Sequence, residues 1–262
     1  VPQGQIVAFW GPNGAGKTTT LRMLTGILPP TAGSIEVAGC DVVRQPGGVK
    51  DRIGYLSQRF GLYPDLTVAE NLAFHADLQG VPPAEMPART ARLLGFSGLD
   101  AFHRRLAGDL SGGMKQKLGL ACALIHTPRI LFLDEPTNGV DPVSRRDFWR
   151  ILHQLVREGV TILVSTAYLD EAERCSRLAL LHEGRVLALG TPGEVKSILP
   201  GSLLEVRTAD SRKACLVLRA RLPESRVVLF GDRIHVTAAD AAAAGRRISE
   251  ALAAEGLPPE SV

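Results

Sequence analysis

The chain has 262 residues, which is enough for one good-sized domain and a small second one. Hydrophobic residues make up 45% of it, so a sizeable core can be buried, and the formal net charge of only +3 does not favour nucleic acid as a partner. Its four cysteines lack metal-binding spacing, and their scattered positions fit a reducing cytosol better than a disulfide framework. No apolar run approaches the ~20 residues that cross a bilayer, so in any membrane process the membrane part is a separate one.

The stretch Gly11–Thr19 reads G-x-x-x-x-G-K-T, the phosphate-binding loop. Before it, the apolar run Gln5–Trp10 predicts a buried strand. After it, the leucines of Leu21–Leu28 share one side and predict a helix that is stopped by Pro29-Pro30. The loop therefore joins a strand to a helix, which is the context that the motif needs.

Phosphate binding in such a loop uses backbone N–H groups and the positive end of the helix dipole. We predict that Lys17 reaches the β- and γ-phosphates and that Thr18 offers its hydroxyl to Mg²⁺. The candidate ATP-binding residues of the loop are Gly11, Pro12, Asn13, Gly14, Ala15, Gly16, Lys17, Thr18 and Thr19.

Two carboxylates, Asp134 and Glu135, end the apolar run Arg129–Leu133. The carboxyl end of a parallel strand lies near the ligand crevice of an α/β sheet. We predict that Asp134 holds Mg²⁺, directly or through water, and that Glu135 polarises the water that attacks the γ-phosphate.

The remaining pattern predicts an α/β fold followed by a small α+β unit. Residues 66–120 read as mostly helical, Glu183-Gly184 marks an antiparallel hairpin, and the pattern changes near Pro200-Gly201 to strand, helix, strand, strand, helix. We therefore expect domains at 1–200 and 201–262. Because the first residue is Val1 and a closing strand is missing at the end, we expect the sequence to be cut at both ends. Further strands are predicted at 34–38, 53–57, 160–165, 178–182, 186–189, 203–207, 226–230 and 233–237, and helices at 67–79, 84–94, 142–158, 212–222 and 239–255.

Leu110-Ser-Gly-Gly113, followed by a basic and glutamine-bearing helix, is the most specific string in the chain. It resembles the signature of ATP-binding cassette (ABC) ATPases, and the resemblance covers about residues 1–195. The shared motifs keep the family's order and spacing: Gly11–Thr19, Gln58, Ser111–Gln116, Asp134-Glu135 and Gly139–Pro142. The family implies a P-loop NTPase fold with a RecA-like parallel-sheet core, an antiparallel β part and a helical signature subdomain.

The resemblance also implies roles and partners. Ser111, Gly112 and Gly113 would close over ATP held by the phosphate loop of a second cassette, bound head to tail. Gln58 would touch Mg²⁺ and the attacking water, so the Mg²⁺ ligands would be Thr18, Gln58 and Asp134. Asp141 would communicate across the dimer, although it can also cap the helix that begins at Pro142.

A transmembrane permease is the other implied partner, which places the protein at the cytoplasmic face of a bacterial inner membrane. The segment Phe60–Pro64 is expected to form part of the dock for it, or else a packed loop. The tail resembles the small domain of drug-export ATPases, and the cassette resembles the first half of tandem two-cassette ATPases of ABC-2-type exporters. The pairs Arg104-Arg105 and Arg145-Arg146 are interpreted as solvated helix faces, so no nucleic acid partner is expected.

The chain departs from the family in the string Ser165–Ala172, where Ala167 stands at the position of a histidine that donates to the γ-phosphate. Its loss predicts slow hydrolysis at the chain's own site, by about 10²–10³ or ~3–4 kcal/mol. The neighbouring Tyr168 is expected to point elsewhere. The alternatives are an energy-coupling ATPase subunit with one slow site and a regulatory cassette that hydrolyses little or nothing itself. A soluble ABC ATPase that acts on ribosomes or DNA is the third, and the lack of long basic linkers or coiled-coil arms argues against it. The adenine-stacking aromatic of the family is expected before Val1.

Overall fold

The computed structural model describes residues 1–58, 61–198 and 202–261. The chain divides into two compact units, Val1–Val195 and Lys196–Val262. The change of pattern predicted at Pro200-Gly201 lies outside the described residues. Within the described ranges, no helix is both long and apolar enough to cross a membrane.

The first unit combines a large sheet with a small hairpin and surrounding helices. Its strands are β1 (Ile6–Trp10), β2 (Glu36–Val37), β3 (Cys40–Asp41), β4 (Ile53–Leu56), β5 (Ile130–Asp134), β6 (Thr161–Thr166), β7 (Arg177–His182) and β8 (Arg185–Gly190). Its helices are α1 (Lys17–Leu24), α2 (Pro46–Lys50), α3 (Val68–Leu78), α4 (Met86–Ser97), α5 (Gly112–Leu124), α6 (Pro142–Arg157) and α7 (Leu169–Ala172). Helix α8 (Pro192–Ser197) crosses the sequence boundary between the units.

The large sheet has the strand order β4-β5-β6-β1-β7-β8. Neighbouring strands are parallel from β4 to β7, and β8 alone pairs antiparallel, with β7. The register sets Asp134 opposite Ser165 and Trp10 opposite Thr166. Because these strands are parallel, their carboxyl ends meet at one edge of the sheet, and the phosphate loop and both carboxylates follow there.

The central strands are buried on both faces, which explains their nearly continuous apolar sequence. In β5, Leu131 and Leu133 pack in the cluster that contains Phe148 and Trp149 of α6. Phe132 points to the opposite cluster, with α1 and the β2–β3 hairpin. The alternation follows the two-residue period of a strand.

The helix after the phosphate loop is shorter than predicted. It ends at Leu24 rather than near Leu28, because Gly26 adopts a left-handed φ of 71° and the N–H groups of Ile27 and Leu28 both bond to the carbonyl oxygen of Arg22. Leu28 is 40% exposed and does not continue the buried side. The predicted strand at 34–38 is also reduced to two residues, and β3 and α2 were not predicted.

The second unit has the predicted βαββα order. Its elements are β9 (Ser202–Val206), α9 (Ser211–Arg221), β10 (Arg226–Phe230), β11 (Arg233–Ala238) and α10 (Ala241–Ala254). The three strands form an antiparallel sheet with β11 in the centre. Leu218 of α9 and Ile248 of α10 pack with Val206, Ile234 and Val236 of the sheet to form its core.

Candidate nucleotide-binding site

The loop between β1 and α1 has the backbone conformation that its glycines permit. Gly14 and Gly16 have φ values of 82° and 97°, in the left-handed region that favours glycine. A Cβ on Gly11 would lie 2.2 Å from the carbonyl oxygen of Leu181, so a side chain is excluded there. No side chain among the described residues caps α1 at Gly16, and its first turn therefore leaves backbone N–H groups for a ligand.

Lys17 lies over this loop with its ammonium group fully engaged. The residue is 4% exposed, and its Nζ donates to the carbonyl oxygens of Gly11 at 2.9 Å and Pro12 at 3.0 Å. The same Nζ lies 3.2 Å from Oε1 of Glu135. These contacts compensate the burial of a positive charge and fix it between the loop and the carboxylate.

Asp134, at the end of β5, is buried and accepts two hydroxyl hydrogen bonds. Its Oδ1 accepts from Oγ1 of Thr18 at 3.0 Å and from Oγ of Ser165 at 2.7 Å. Burial is the main cause that raises the pKa of Tyr55, and the charge of Asp134 adds to it. Asp134 therefore joins the first turn of α1 to the ends of β5 and β6.

Glu135 has an unusual backbone and a carboxylate with contacts on both oxygens. Its φ is 47°, in the left-handed region, and its N–H donates to the Oγ of Ser165 at 2.9 Å. While Lys17 contacts Oε1, Oε2 accepts from Nε2 of Gln58 at 3.1 Å and from Nδ2 of Asn138 at 3.5 Å. Gln58 and Lys17 thus approach the same carboxylate from two sides.

Lys17, Thr18, Gln58 and Glu135 line a cavity of about 290 Å³ at the N-terminal end of α1. Its oxygen donors suit Mg²⁺, which prefers hydroxyl, carboxylate and amide oxygens. Oγ1 of Thr18 and Oδ1 of Asp134 lie 3.0 Å apart, and the amide of Gln58 reaches the same cavity, so the residues present fit this ion. The cavity is lined by Asn13, Gly14, Gly16, Lys17, Thr18, Thr19, Gln58, Glu135 and Asn138.

The signature residues begin a different helix and do not line this cavity. Ser111 caps α5, its Oγ accepting from the N–H of Met114 at 3.3 Å. Ser111 and Gly112 are exposed, whereas Gly113 is buried against α6. A Cβ on Gly113 would lie 2.5 Å from both Cβ and Oγ of Ser144, so the two helices approach closely at this glycine.

Asp141 caps α6, as its position before Pro142 suggests. Its Oδ1 accepts from the N–H groups of Val143 at 3.1 Å and Ser144 at 2.9 Å. The hydrogen bond from the Ser144 backbone is the main cause that lowers the pKa of Asp141. The side chain is exposed and lies outside the cavity lining.

Ala167 follows β6 next to the start of the phosphate loop. The preceding Thr166 accepts a 3.4 Å hydrogen bond from the N–H of Gly11 through its carbonyl oxygen, and Ala167 itself is exposed. The ring of Tyr168 lies 4.7 Å from the guanidinium carbon of Arg145.

The prediction that Arg145 belongs to a solvated face is wrong, because its side chain is 24% exposed and pairs with the buried Glu171 at 3.7 Å.

The segment after Gln58 was predicted to include a docking surface, of which Phe60 lies outside the described residues. Tyr63 is 47% exposed and makes an edge-to-face contact with Phe74, at 4.6 Å between ring centroids. Its backbone is held by the buried Asn71, which accepts from the Tyr63 N–H at 2.9 Å and donates to its carbonyl oxygen at 3.0 Å. The loop is therefore anchored at Asn71 and leaves an aromatic surface open.

Sequence reasoning assigned no role to Asn138 or Ser165, which both contact Glu135. Asn138 stands three residues after Glu135, and its N–H bonds to the Glu135 carbonyl oxygen at 3.1 Å, so the turn carries it back to the cavity. Ser165 ends the apolar part of β6 opposite Asp134. The matching polar ends of two adjacent strands were the signal that could have identified it.

A parallel sheet, a phosphate loop that leads into α1 and a strand that ends in two carboxylates define a P-loop NTPase. Residues 1–138 match the family model described as ABC transporter. The chain therefore belongs to the family of ABC transporter ATP-binding domains.

Similar proteins include two bacterial relatives and a solved structure. The chain is 47% identical over 222 residues to YbhF of Escherichia coli K12, a probable multidrug ABC transporter ATP-binding protein, with 84% of this chain and 38% of that protein covered. It is 41% identical over 233 residues to the daunorubicin/doxorubicin resistance ATP-binding protein DrrA of Streptomyces peucetius, with 88% of this chain and 71% of DrrA covered. The structure of the ATP-binding cassette MJ0796, a dimer in a post-hydrolysis state bound to ADP and Pi, aligns with a TM-score of 0.67 and 26% identity over 73% of this chain and 87% of that one.

Proposed function

We propose that this chain binds ATP with Mg²⁺ in the phosphate-loop cavity and powers an ABC transporter, in the manner of the multidrug exporters of the ABC-2 class. The observation that carries the proposal is the convergence of Lys17, Thr18, Glu135 and Gln58 on one 290 Å³ cavity at a helix N-terminus, with the buried Asp134 hydrogen-bonded to Thr18. The names of YbhF and DrrA support the drug-export class, and the ADP and Pi in the MJ0796 structure support the nucleotide.

Each side chain has a role that follows from its position. The N–H groups of the loop and the ammonium of Lys17 bind the phosphates. Thr18, Asp134 and Gln58 hold Mg²⁺, which when bound neutralises phosphate charge during transfer. Glu135 orients and polarises the attacking water once its Oε1 exchanges Lys17 for that water, because a phosphate competes for the same ammonium group.

Hydrolysis at this chain's own site is proposed to be slow because Ala167, which follows Thr166 beside the start of the phosphate loop, offers no donor to a γ-phosphate. The contact of Tyr168 with Arg145 supports the view that Tyr168 does not replace the missing histidine. The same observation favours a second candidate function, a regulatory cassette that binds ATP and hydrolyses little of it. Glu135 and Gln58 remain in place, which favours the ATPase.

A second cassette is the proposed partner for the signature. Ser111, Gly112 and Gly113 start a helix outside this chain's cavity, and a helix start with two glycines is a suitable anion site for ATP held by another phosphate loop. The dimeric MJ0796 cassette supports this arrangement. Asp141 at the start of α6 would then act at the dimer contact as well as capping its helix.

The permease is proposed to contact the segment around Tyr63. The exposed pair of Tyr63 and Phe74 supports this assignment, because exposed aromatic side chains are enriched at interfaces. The chain would then act at the cytoplasmic face of the membrane, without a nucleic acid partner.

Equilibrium binding of Mg-ATP tests the site directly. Lys17→Ala is expected to raise the Kd by about tenfold or more, because the ammonium group is the nearest positive charge to the proposed phosphates. Lys50→Ala, which removes an exposed lysine from the same unit, is the matched control and should leave the Kd unchanged. Equal affinity in both variants would refute the assignment of this cavity to ATP.

A further inference from the structure

Glu171 of α7 is a buried carboxylate to which the proposed function gives no role. The residue is 1% exposed. Its Oε1 accepts a hydrogen bond from the Oγ1 of Thr137, and its Oε2 accepts one from the Oγ1 of Thr166 at 2.6 Å. The Nε of Arg145 lies 3.7 Å from Oε1 and supplies a positive charge. Burying a carboxylate costs free energy, and the two hydroxyl groups and the guanidinium group offset part of that cost. The fold therefore maintains a specific site for this side chain.

The two threonines belong to two different segments: Thr137 lies between Glu135 and Asn138, which line the proposed ATP cavity, and Thr166 lies beside the start of the phosphate loop. Thr137 is two residues after Glu135, in a turn closed by hydrogen bonds from Asn138 N–H to Glu135 O at 3.1 Å and from Val140 N–H to Thr137 O at 3.1 Å. Thr166 ends β6 immediately before Ala167, and its Oγ1 also accepts from the N–H of Tyr168 at 3.0 Å. Glu171 therefore bridges the turn that carries Glu135 to the loop that carries Ala167.

The backbone conformation of Glu135 needs support from its surroundings, and the Glu171 bridge contributes to that support. A non-glycine residue with a φ of 47° is strained, and such a conformation persists only when the surrounding structure fixes it on both sides. On the amino side, the Glu135 N–H bonds to the Oγ and O of Ser165 at 2.9 and 3.2 Å. On the carboxyl side, the side chain of Thr137 is fixed by Glu171.

We propose that Glu171 is a positioning residue for Glu135, acting through Thr137. The bridge keeps the strained turn from relaxing and so holds the carboxylate of Glu135 beside Gln58, where its Oε1 receives the attacking water once a phosphate has taken Lys17. The inference rests on the proposed function, because that function makes Glu135 the group that polarises the water.

Hydrogen exchange in the full chain tests the bridge without any need for hydrolysis. Glu171→Ala is expected to speed amide exchange in residues 134–140 by about tenfold, because the turn opens locally when its anchor is lost. Thr137→Val removes one hydroxyl at nearly constant shape and is expected to act in the same direction. Asp170→Ala is the matched control, because it removes an exposed carboxylate from the same short helix and should leave exchange in 134–140 unchanged.

Single-turnover cleavage of Mg-ATP is the second readout, with Ala167→His as the host so that cleavage is fast enough to compare. Glu171→Ala is expected to lower the rate about tenfold while the Kd of Mg-ATP changes less than about twofold, because a positioning residue affects the chemical step more than binding. Glu171→Gln, which keeps one carbonyl oxygen, is expected to recover part of the rate.

The inference would be overturned if residues 134–140 exchanged their amide hydrogens at the native rate in both Glu171→Ala and Thr137→Val. The inference would also be overturned if Glu171→Ala lowered the cleavage rate and the affinity for Mg-ATP by the same factor and lowered the melting temperature as well. A residue that is needed only for folding behaves in this way. Failure of the proposed function gives a different result: Lys17→Ala would bind Mg-ATP as tightly as the native chain, whatever the exchange experiment shows.

Discussion

The contact between Gly113 and Ser144 predicts that a side chain at the second glycine of the signature destabilises the fold. A Cβ on Gly113 would lie 2.5 Å from both Cβ and Oγ of Ser144, about 1 Å closer than the ~3.5 Å of favourable contact. A change of Ser144 rotamer cannot relieve this clash, because Cβ itself is one of the two atoms. The starts of α5 and α6 must therefore separate, at a cost of about 1–3 kcal/mol, the usual range for overpacking.

Thermal unfolding measures this cost. For a unit of this size Gly113→Ala is expected to lower Tm by about 2–12 °C, at about 2–4 °C per kcal/mol. Gly112→Ala is the matched control, because a Cβ there meets nothing within 4 Å, and it should leave Tm unchanged or slightly raised. Ser144→Gly removes both clashing atoms, so adding it to Gly113→Ala should recover part of the loss. Equal Tm values for the Gly113 and Gly112 variants would refute the reasoning.

Three further predictions concern buried or partly buried polar groups. Asn71→Asp should lower the free energy of unfolding in urea by at least ~2 kcal/mol, because the Asn71 amide donates to three backbone carbonyl oxygens at 3.0–3.2 Å that a carboxylate cannot serve. Burial is the main cause that lowers the pKa of His126 below its ordinary 6.5, so the unfolded chain takes up a proton first as pH falls below 6.5. The stability that His126 contributes is complete above that pH and is lost below it, and His126→Asn should flatten the decline in urea titrations. Burial raises the pKa of Cys122 and of Cys175 to about 12, with the charge of Glu171 adding to the effect at Cys175, so iodoacetamide at neutral pH should label neither until the chain unfolds.

Each of these has its own contradicting result. An unchanged urea midpoint for Asn71→Asp would show that the amide does not anchor the segment 63–67. An unchanged pH slope in His126→Asn would assign the decline to other groups, of which His153 is one, since burial also lowers its pKa. Rapid labelling of Cys122 or Cys175 in the folded chain would show that these thiols are accessible.

The sequence predicted the parts of the site that depend on local pattern. The apolar run to Asp134 and the glycine loop before Lys17 fix a strand end and a helix start, and parallel pairing then brings the two together. The helix after the loop was predicted too long, because apolar spacing continues to Leu28 while the left-handed Gly26 ends the helix. The pattern of leucines carries no information about that backbone conformation.

The parts that could not be predicted depend on contacts between distant segments. Thr137 and Thr166 meet at Glu171 only after β5 and β6 have paired, and Arg145 reaches the same carboxylate from α6. The pair Arg145-Arg146 looks solvated in the sequence, because nothing in the local pattern shows that the buried Glu171 lies next to Arg145. Asn138 likewise gains its place at the cavity from a turn whose geometry is set by the strained φ of Glu135.

The most direct test is single-turnover cleavage of ATP held at this chain's own site, measured with the proposed second cassette present, in the native chain and in Ala167→His. The native site is expected to retain ATP over many cycles of the site on the proposed second cassette. Ala167→His should speed its cleavage by about 10²–10³, the gain expected from one restored electrostatic contact. A native site that already cleaves ATP at the rate of the second cassette, with no gain from Ala167→His, would contradict this expectation.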